Sequence, residues 1–134
     1  MKSVLSLRVR SYECDGYNHV NNAVYLHYLE TARYEFLKNV GFDYKAMFAA
    51  GYGVYVARIE IEYKKPALID EEIKIESWPV KKGAASGIIE QRITRGSDVI
   101  VAAKVTWVFV DRNGSPTKIP PEFDKPGLYP ADSG

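Results

Sequence analysis

The apolar residues of this chain change period once, and that change limits the folds open to it. From Asn22 to Val40 the residues Tyr25, Leu29, Ala32, Phe36 and Val40 recur every three or four positions, with Leu26 and Leu37 beside them, which makes one amphipathic stripe. His27, Thr31, Tyr34, Glu35 and Lys38 fall on the other side. Asn21 or Asn22 can cap the start and Gly41 can stop the end, giving a helix roughly 28 Å long at about 1.5 Å per residue. A shorter helix is expected from the N-cap Asp43 to Ala50, closed by Gly51. After Gly53 the apolar residues alternate instead: Ile59, Ile61 and Tyr63, then Ile73 and Ile75, then "SGIIEQRITR" and "VIVAAKVTWVFV", parted by the turn-forming "RGSD". A first strand, about Val4 to Tyr12, precedes the long helix.

Helices gathered in one part of the chain and strands in another predict an α+β domain whose sheet packs on the main helix. The joining segments are too short for parallel crossovers, so four strands in an antiparallel meander are expected after the helices. A length of 134 residues, 46% of them hydrophobic and 26% charged, suits one such domain with a real core. Core candidates are Tyr25, Phe36, Tyr52, Tyr55, Tyr63 and Trp78. The domain is expected over residues 1–114. Pro116, Pro120, Pro121, Pro126 and Pro130 crowd residues 115–134, which read as a proline-rich tail, either an extended strap or disordered.

Charge narrows the partners. Eighteen basic residues against seventeen acidic ones leave a net +1, so no whole-protein field favours nucleic acid or an anionic membrane. Cys14 is the single cysteine; it has no partner for an internal disulfide, and with only two histidines no zinc-type ligand set is expected, nor any cofactor. Arg8 and Arg10 interrupt the N-terminal apolar run that a signal peptide would need, and no stretch approaches a membrane span, so the expected location is the cytoplasm.

The stretch "YECDGYNHVNN", Tyr12 to Asn22, places Asp15, Asn18, His19, Asn21 and Asn22 at the mouth of the long helix. One reading is structural: Asp15-Gly16 is a turn signal, and Asn21 and Asn22 are caps. The other is a reaction site. A strand, a loop reading D-x-x-x-H-V-N-N, a long helix beginning "AVYLHYLETAR" and then several strands resemble the hotdog-fold thioesterases, of the kind that includes 4-hydroxybenzoyl-CoA thioesterase and short-chain acyl-CoA relatives. The likeness spans about Leu5 to Val110. It extends to the plant-type acyl-ACP thioesterases, whose loop carries a similar Asp, Asn and His before V-N-N. Many acyl-CoA members carry Gly before the His-Val pair; Asn18 stands there in this chain and draws it toward the acyl-ACP type.

The resemblance implies a hotdog fold, a five-stranded antiparallel sheet wrapped around one long central helix. It implies that Asp15 holds the catalytic aspartate's position, and that the active site lies at a dimer interface, where the sheets of two subunits join and the helix of one faces the loop of the other. A homodimer or a homotetramer built as a dimer of dimers would satisfy it. The substrate would be an acyl-CoA or acyl-carrier-protein thioester.

Thioester hydrolysis asks for little machinery, because a thiol of pKa about 8.5 is already a tolerable leaving group. Asp15 could activate water or attack directly. Amide groups at the helix start, Asn21 to Val24, could polarise the carbonyl oxygen. His19, Asn18 and Asn22 could orient Asp15, the water or the acyl carbonyl, and Tyr25 could line an acyl channel. For the carrier's phosphates the candidates are Arg58, Lys64 and Lys65, with Lys81 and Lys82. Cys14 reads as a small hydrophobe without an assigned base, no G-x-S-x-G motif is present, and the "GYG" at Gly51 to Gly53 ends a helix and so is no phosphate loop. Glu30 and Arg33 can pair along the helix, although Arg33 sits close to the apolar arc. Two other readings use the same pocket: a hotdog dehydratase or hydratase pairing His19 with Glu30, and a non-enzymatic acyl-CoA-binding protein.

Overall fold

The computed structural model describes residues 2–131, so Met1 and residues 132–134, the outer ends of the expected domain and tail, lie outside the described residues. The elements follow in the order β1 (Ser3–Arg8), α1 (Asn22–Asn39), α2 (Tyr44–Ala49), β2 (Gly53–Tyr63), β3 (Glu72–Lys82), β4 (Ser86–Arg95) and β5 (Asp98–Val110), with single 3₁₀ turns at Ser11–Glu13 and Pro126–Leu128. One five-stranded antiparallel sheet results, ordered β1-β3-β4-β5-β2, and α1 lies across it closest to β1 and β3. This is the hotdog arrangement of a sheet curled around one long helix.

Local chemistry sets the bounds of α1. Asn21 is extended, and its side-chain oxygen accepts from Ala23 N–H at 2.9 Å. At the other end Gly41 takes a φ of 81°, the left-handed geometry that ends helices and that glycine adopts without steric cost. The buried face is Tyr25, Tyr28, Leu29, Ala32 and Phe36, of which Leu29 and Phe36 each contribute about 1.5–3 kcal/mol when removed from water. Tyr28 lies outside the expected stripe, and Leu26, expected at its flank, is exposed.

The strand order departs from the expected meander. β3, β4 and β5 are consecutive neighbours, but β2 pairs with β5, while β3 takes β1 on its other side. The link from Lys64 to Glu71 is therefore no hairpin. It crosses the sheet end by about three strand spacings, roughly 14 Å, which eight residues span easily. β1 is also shorter than expected, because the chain leaves the sheet at Val9 and enters the 3₁₀ turn.

The core is two adjoining clusters. One joins Tyr25, Tyr28, Leu29 and Ala32 to Ile73, Ile75, Ile93 and Val101; the other joins Phe36, Phe42 and Met47 to Ile89, Trp107 and Phe109, together with Ile119, Phe123 and Leu128 from the tail. The segment after β5 is thus an extended strap packed on the second cluster. Of the aromatic core candidates, Tyr25 and Phe36 are buried and Tyr52 and Trp78 half-buried, whereas Tyr55 and Tyr63 are exposed on β2. β2 is an edge strand whose Val54 and Ile61 pack on the two clusters; Tyr55 stands on the face opposite Val54, and Tyr63 is the strand's last residue.

Candidate active site

The loop before α1 is tied down at both ends. Cys14 bridges to Val20, Asp15 N–H donates to the His19 carbonyl at 2.9 Å, and Asn21 N–H donates to the Glu13 carbonyl at 2.9 Å. Glu13 Oε1 accepts from Arg10 N–H at 2.7 Å and from the Tyr28 hydroxyl at 2.9 Å, which fastens the loop to the helix. Burial, together with that hydrogen bond and the Glu13 charge, pushes the Tyr28 hydroxyl pKa far above its ordinary value.

The crossing link from β2 to β3 supplies the facing wall. Val20 N–H donates to the Ala67 carbonyl, His19 bridges to Leu68, and Ala67 N–H donates to the Tyr25 hydroxyl, each donor bond at 2.9 Å. Between loop, helix start and link lies a groove of roughly 390 Å³ lined by Asp15, His19, Val20, Asn22, Tyr25, Tyr63, Lys64, Lys65 and Pro66. Six of the residues singled out from sequence therefore share one concavity: Asp15, His19, Asn22, Tyr25, Lys64 and Lys65.

Asp15 serves the turn and the groove at once. Its Oδ1 accepts from Tyr17 N–H at 2.9 Å, and among the described residues no donor reaches Oδ2. The helix start is less open than free amides would be: Asn21 N–H is taken by Glu13, Ala23 N–H by the Asn21 side chain, and Val24 N–H by the Asn21 carbonyl. Among the described residues that leaves Asn22 N–H as the amide of this turn without a hydrogen-bond partner. Tyr63 fixes the same residue from outside, donating its hydroxyl to the Asn22 carbonyl at 3.2 Å and stacking on Tyr25 with ring centroids 5.5 Å apart.

The other sequence candidates stand elsewhere. Asn18 is a turn residue with φ 62°, a left-handed geometry that glycine adopts freely and asparagine tolerates better than most, which accounts for its place before His19. Asn21 is the cap, outside the groove. Arg58 is on the exposed edge strand, its guanidinium 2.7 Å from Glu60. Lys65 reaches Asp98 at 2.9 Å, and Lys64 stands 3.9 Å from Glu62. Burial and the charges of Asp15, Glu13 and Asp70 raise the Cys14 thiol pKa, which favours the unreactive protonated form. Among the described residues no group of three or more His, Cys, Asp and Glu side chains gathers as a metal site would. The sequence marks Tyr63 as a core candidate and does not single out Pro66; the end of β2 and the crossing link that bring them to the groove leave no local signal.

A second cavity opens farther along α1, with a volume of roughly 510 Å³. Its rim carries the exposed Glu30, Thr31, Tyr34 and Val56, and its floor is the buried Phe42, Ile89, Trp107, Phe109, Ile119 and Leu128. Arg33 borders it half-buried. Desolvation lowers the Arg33 pKa, and its guanidinium donates to Gln91 Oε1 at 3.1 Å; no carboxylate lies within ion-pair distance among the described residues. Glu30 and His19 line different cavities, with about 12 Å of helix rise between Asn22 and Glu30, so one chain does not form the acid–base pair a hydratase would use.

The Thioesterase-like superfamily matches residues 9–126 of the chain. Among curated proteins, the long-chain acyl-CoA thioesterase FadM of Escherichia coli (strain K12) is 36% identical over 107 residues, covering 78% of this chain and 80% of FadM. The chloroplastic acyl-acyl carrier protein thioesterase ATL2 of Arabidopsis thaliana is 30% identical over 124 residues, covering 87% of this chain but 63% of that protein. Among solved structures, a probable thioesterase from Bartonella henselae superposes with a TM-score of 0.85 at 27% identity, covering 90% of this chain and 100% of that one.

Proposed function

The chain belongs to the thioesterase-like superfamily, and we propose that it hydrolyses an acyl thioester carried on CoA or acyl carrier protein, with Asp15 as the general base. The observation that carries this reading is the groove itself, where a carboxylate with one oxygen free and a helix-start amide without a partner border the same space. Water held by Asp15 Oδ2 attacks the thioester carbon, and Asp15 takes its proton. Negative charge moves onto the carbonyl oxygen, where Asn22 N–H and the positive end of α1 receive it. The carbon–sulfur bond then breaks, the thiolate leaves, and the proton passes on to it. His19 and the Asn22 side chain orient the water and the acyl group; Tyr25 and Tyr63 line the approach.

Lys64 and Lys65 give the groove a cationic flank for the carrier's phosphates. The proposed active unit is a dimer formed edge to edge through β2. That strand is an eleven-residue unpaired edge bearing Tyr55 and Val56 at 58% and 46% exposure, a surface suited to pairing with a second copy. The relatives named for CoA and for acyl carrier protein leave both carriers as substrates to be tried. A single cysteine, without a partner for an internal disulfide, fits a reducing cytoplasm.

Release of free thiol from parallel panels of acyl-CoAs and acyl-carrier-protein thioesters tests the reading. Turnover by the wild type, with kcat lowered about 10²- to 10⁴-fold by Asp15→Asn, is the expected result. Tight acyl-CoA binding without any thiol release would instead make the protein a binder.

A further inference from the structure

We propose that the strap following β5 is the end wall of the acyl cavity, and that Ile119 and Leu128 on it set the longest acyl chain the protein accepts. The inference rests on the thioesterase reading for the identity of the occupant, and on the cavity's own geometry for the rest.

The cavity is graded along its depth. Its exposed rim is on α1 and β2, and its floor is buried and apolar. A volume of roughly 510 Å³ falls within the about 300–1,000 Å³ typical of small-ligand sites. A flexible apolar chain entering at the rim would meet Trp107 and Phe109 of β5 and stop where the strap closes the space. Ile119 is 2% exposed and Leu128 4%, yet both border the cavity, so they are buried against the domain on one side and face the empty volume on the other. Of the two wall residues, Ile119 lies within the family match and Leu128 beyond residue 126, where it ends.

The strap is pinned well enough to act as a wall. Thr117 N–H donates to the Phe109 carbonyl at 3.0 Å, and Ile119 N–H to the Ala84 carbonyl at 3.1 Å. Gly127 packs so closely on Val40, at the end of α1, that a Cβ there would come within 2.4 Å of a Val40 methyl, so this stretch of the strap lies directly against the helix end. A charged lock holds the outer side. Lys82, with its side chain 1% exposed, has its ammonium 3.5 Å from Asp124 Oδ1 and 4.7 Å from the Tyr129 ring centroid, while the Tyr129 hydroxyl donates to Asp124 Oδ2 at 2.8 Å. Among the described residues Asp124 Oδ1 has no hydrogen-bond partner, so this carboxylate oxygen depends on the Lys82 charge. Asp124 is thus a positioning residue, acting on the cavity through Leu128.

The experiment is a chain-length profile, kcat/KM for straight-chain acyl-CoAs from butanoyl to octadecanoyl, on wild type, Leu128→Ala, Leu128→Trp and Asp124→Asn. Leu128→Trp should lower the ratio of long-chain to short-chain kcat/KM by about 10- to 200-fold, the discrimination an apolar pocket makes over small changes in fit. Leu128→Ala should move the optimum to longer chains. Asp124→Asn should blunt the length dependence through KM, with kcat little altered. Glu122→Gln, on the exposed side of the same strap and away from the cavity, keeps the wild-type profile and guards against general disruption, and melting curves confirm that each variant folds. Folded variants whose profiles keep the wild-type shape, or fall uniformly at every length, overturn the proposal. The same series is measured by acyl-CoA binding. A wild type that binds but hydrolyses nothing defeats the thioesterase reading while the binding profile still decides on the strap, and failure to bind any member defeats both.

Discussion

The groove at the start of α1 and the cavity beside its second half are built from opposite materials. The groove is open and mixed in character; its polar parts are a carboxylate, an amide and two lysines held by a tight loop and a crossing link. The cavity is deeper and apolar, floored by aromatic and branched side chains and closed by the tail. Bond breaking needs charge and donors held in a fixed place, whereas chain recognition needs removal of apolar surface from water. One helix serves both, its first turn offering backbone polarity and its later turns a side-chain wall. The half-buried, unneutralised Arg33 marks the border between the two environments.

That division can be broken most sharply at Asn22. Asn21 is already extended, with φ −59° and ψ 136°, and position 22 is the first helical residue, where proline fits. Asn22→Pro should therefore keep the helix while deleting this amide together with the Asn22 side chain, Asn22→Ala removes the side chain alone, and kcat should fall about 10²- to 10³-fold further in the proline variant than in the alanine one. A fall in KM alone, or no change, would separate the helix start from the chemistry.

Next in size is the strap lock. Lys82→Met strips Asp124 of its counter-charge, and because the Asp124 side chain is 24% exposed the cost should be about 2–3 kcal/mol, below the about 3–5 kcal/mol of a fully buried pair. Urea unfolding measures it; a loss under about 0.5 kcal/mol would make the lock ornamental.

Tyr28→Phe should cost about 1–2 kcal/mol by removing the bond to Glu13. It carries a pH signature as well. Burial raises the folded-state pKa of Tyr28 above the unfolded value, so its contribution is whole below about pH 10 and is lost as pH climbs toward the folded value. Wild-type melting temperature should decline above about pH 10, and the variant should decline less steeply. The smallest effect expected is at Asp98, whose pairing with Lys65 holds its carboxyl below the ordinary 3.8. Asp98→Asn frees Lys65 for the carrier and should lower KM for a CoA substrate by roughly twofold, in keeping with the weakness of exposed pairs. An increase in KM would assign Asp98 a direct part in binding.

The two regions also differ in how far the amino-acid order reveals them. Asp15, His19 and Asn22 lie within one turn and one helix start, so local rules about caps and turns were enough to put them together. Lys64 and Lys65 come to the groove by a route those rules mispredict. Eight residues between β2 and β3 suggest neighbours, but β5 is long enough to pair along both edges and takes β2 for itself, from Gly53↔Val110 to Tyr63↔Val101. Tyr28 was passed over because its acceptor, Glu13, lies outside the helix. The strap was least legible of all: a proline-rich composition suits both an extended and a disordered segment, and what decides between them is the burial of Ile119, Phe123 and Leu128 against α1, α2 and β5.

The central claim is that Asp15 and the Asn22 amide act together on one thioester carbonyl. A double-mutant cycle measures it most directly, comparing kcat for one acyl-CoA in wild type, Asp15→Asn, Asn22→Pro and the double variant. Groups working on the same transition state should be non-additive, with the double variant little worse than the more damaged single one. Losses that multiply independently, or a kcat untouched by Asp15→Asn, would contradict the account.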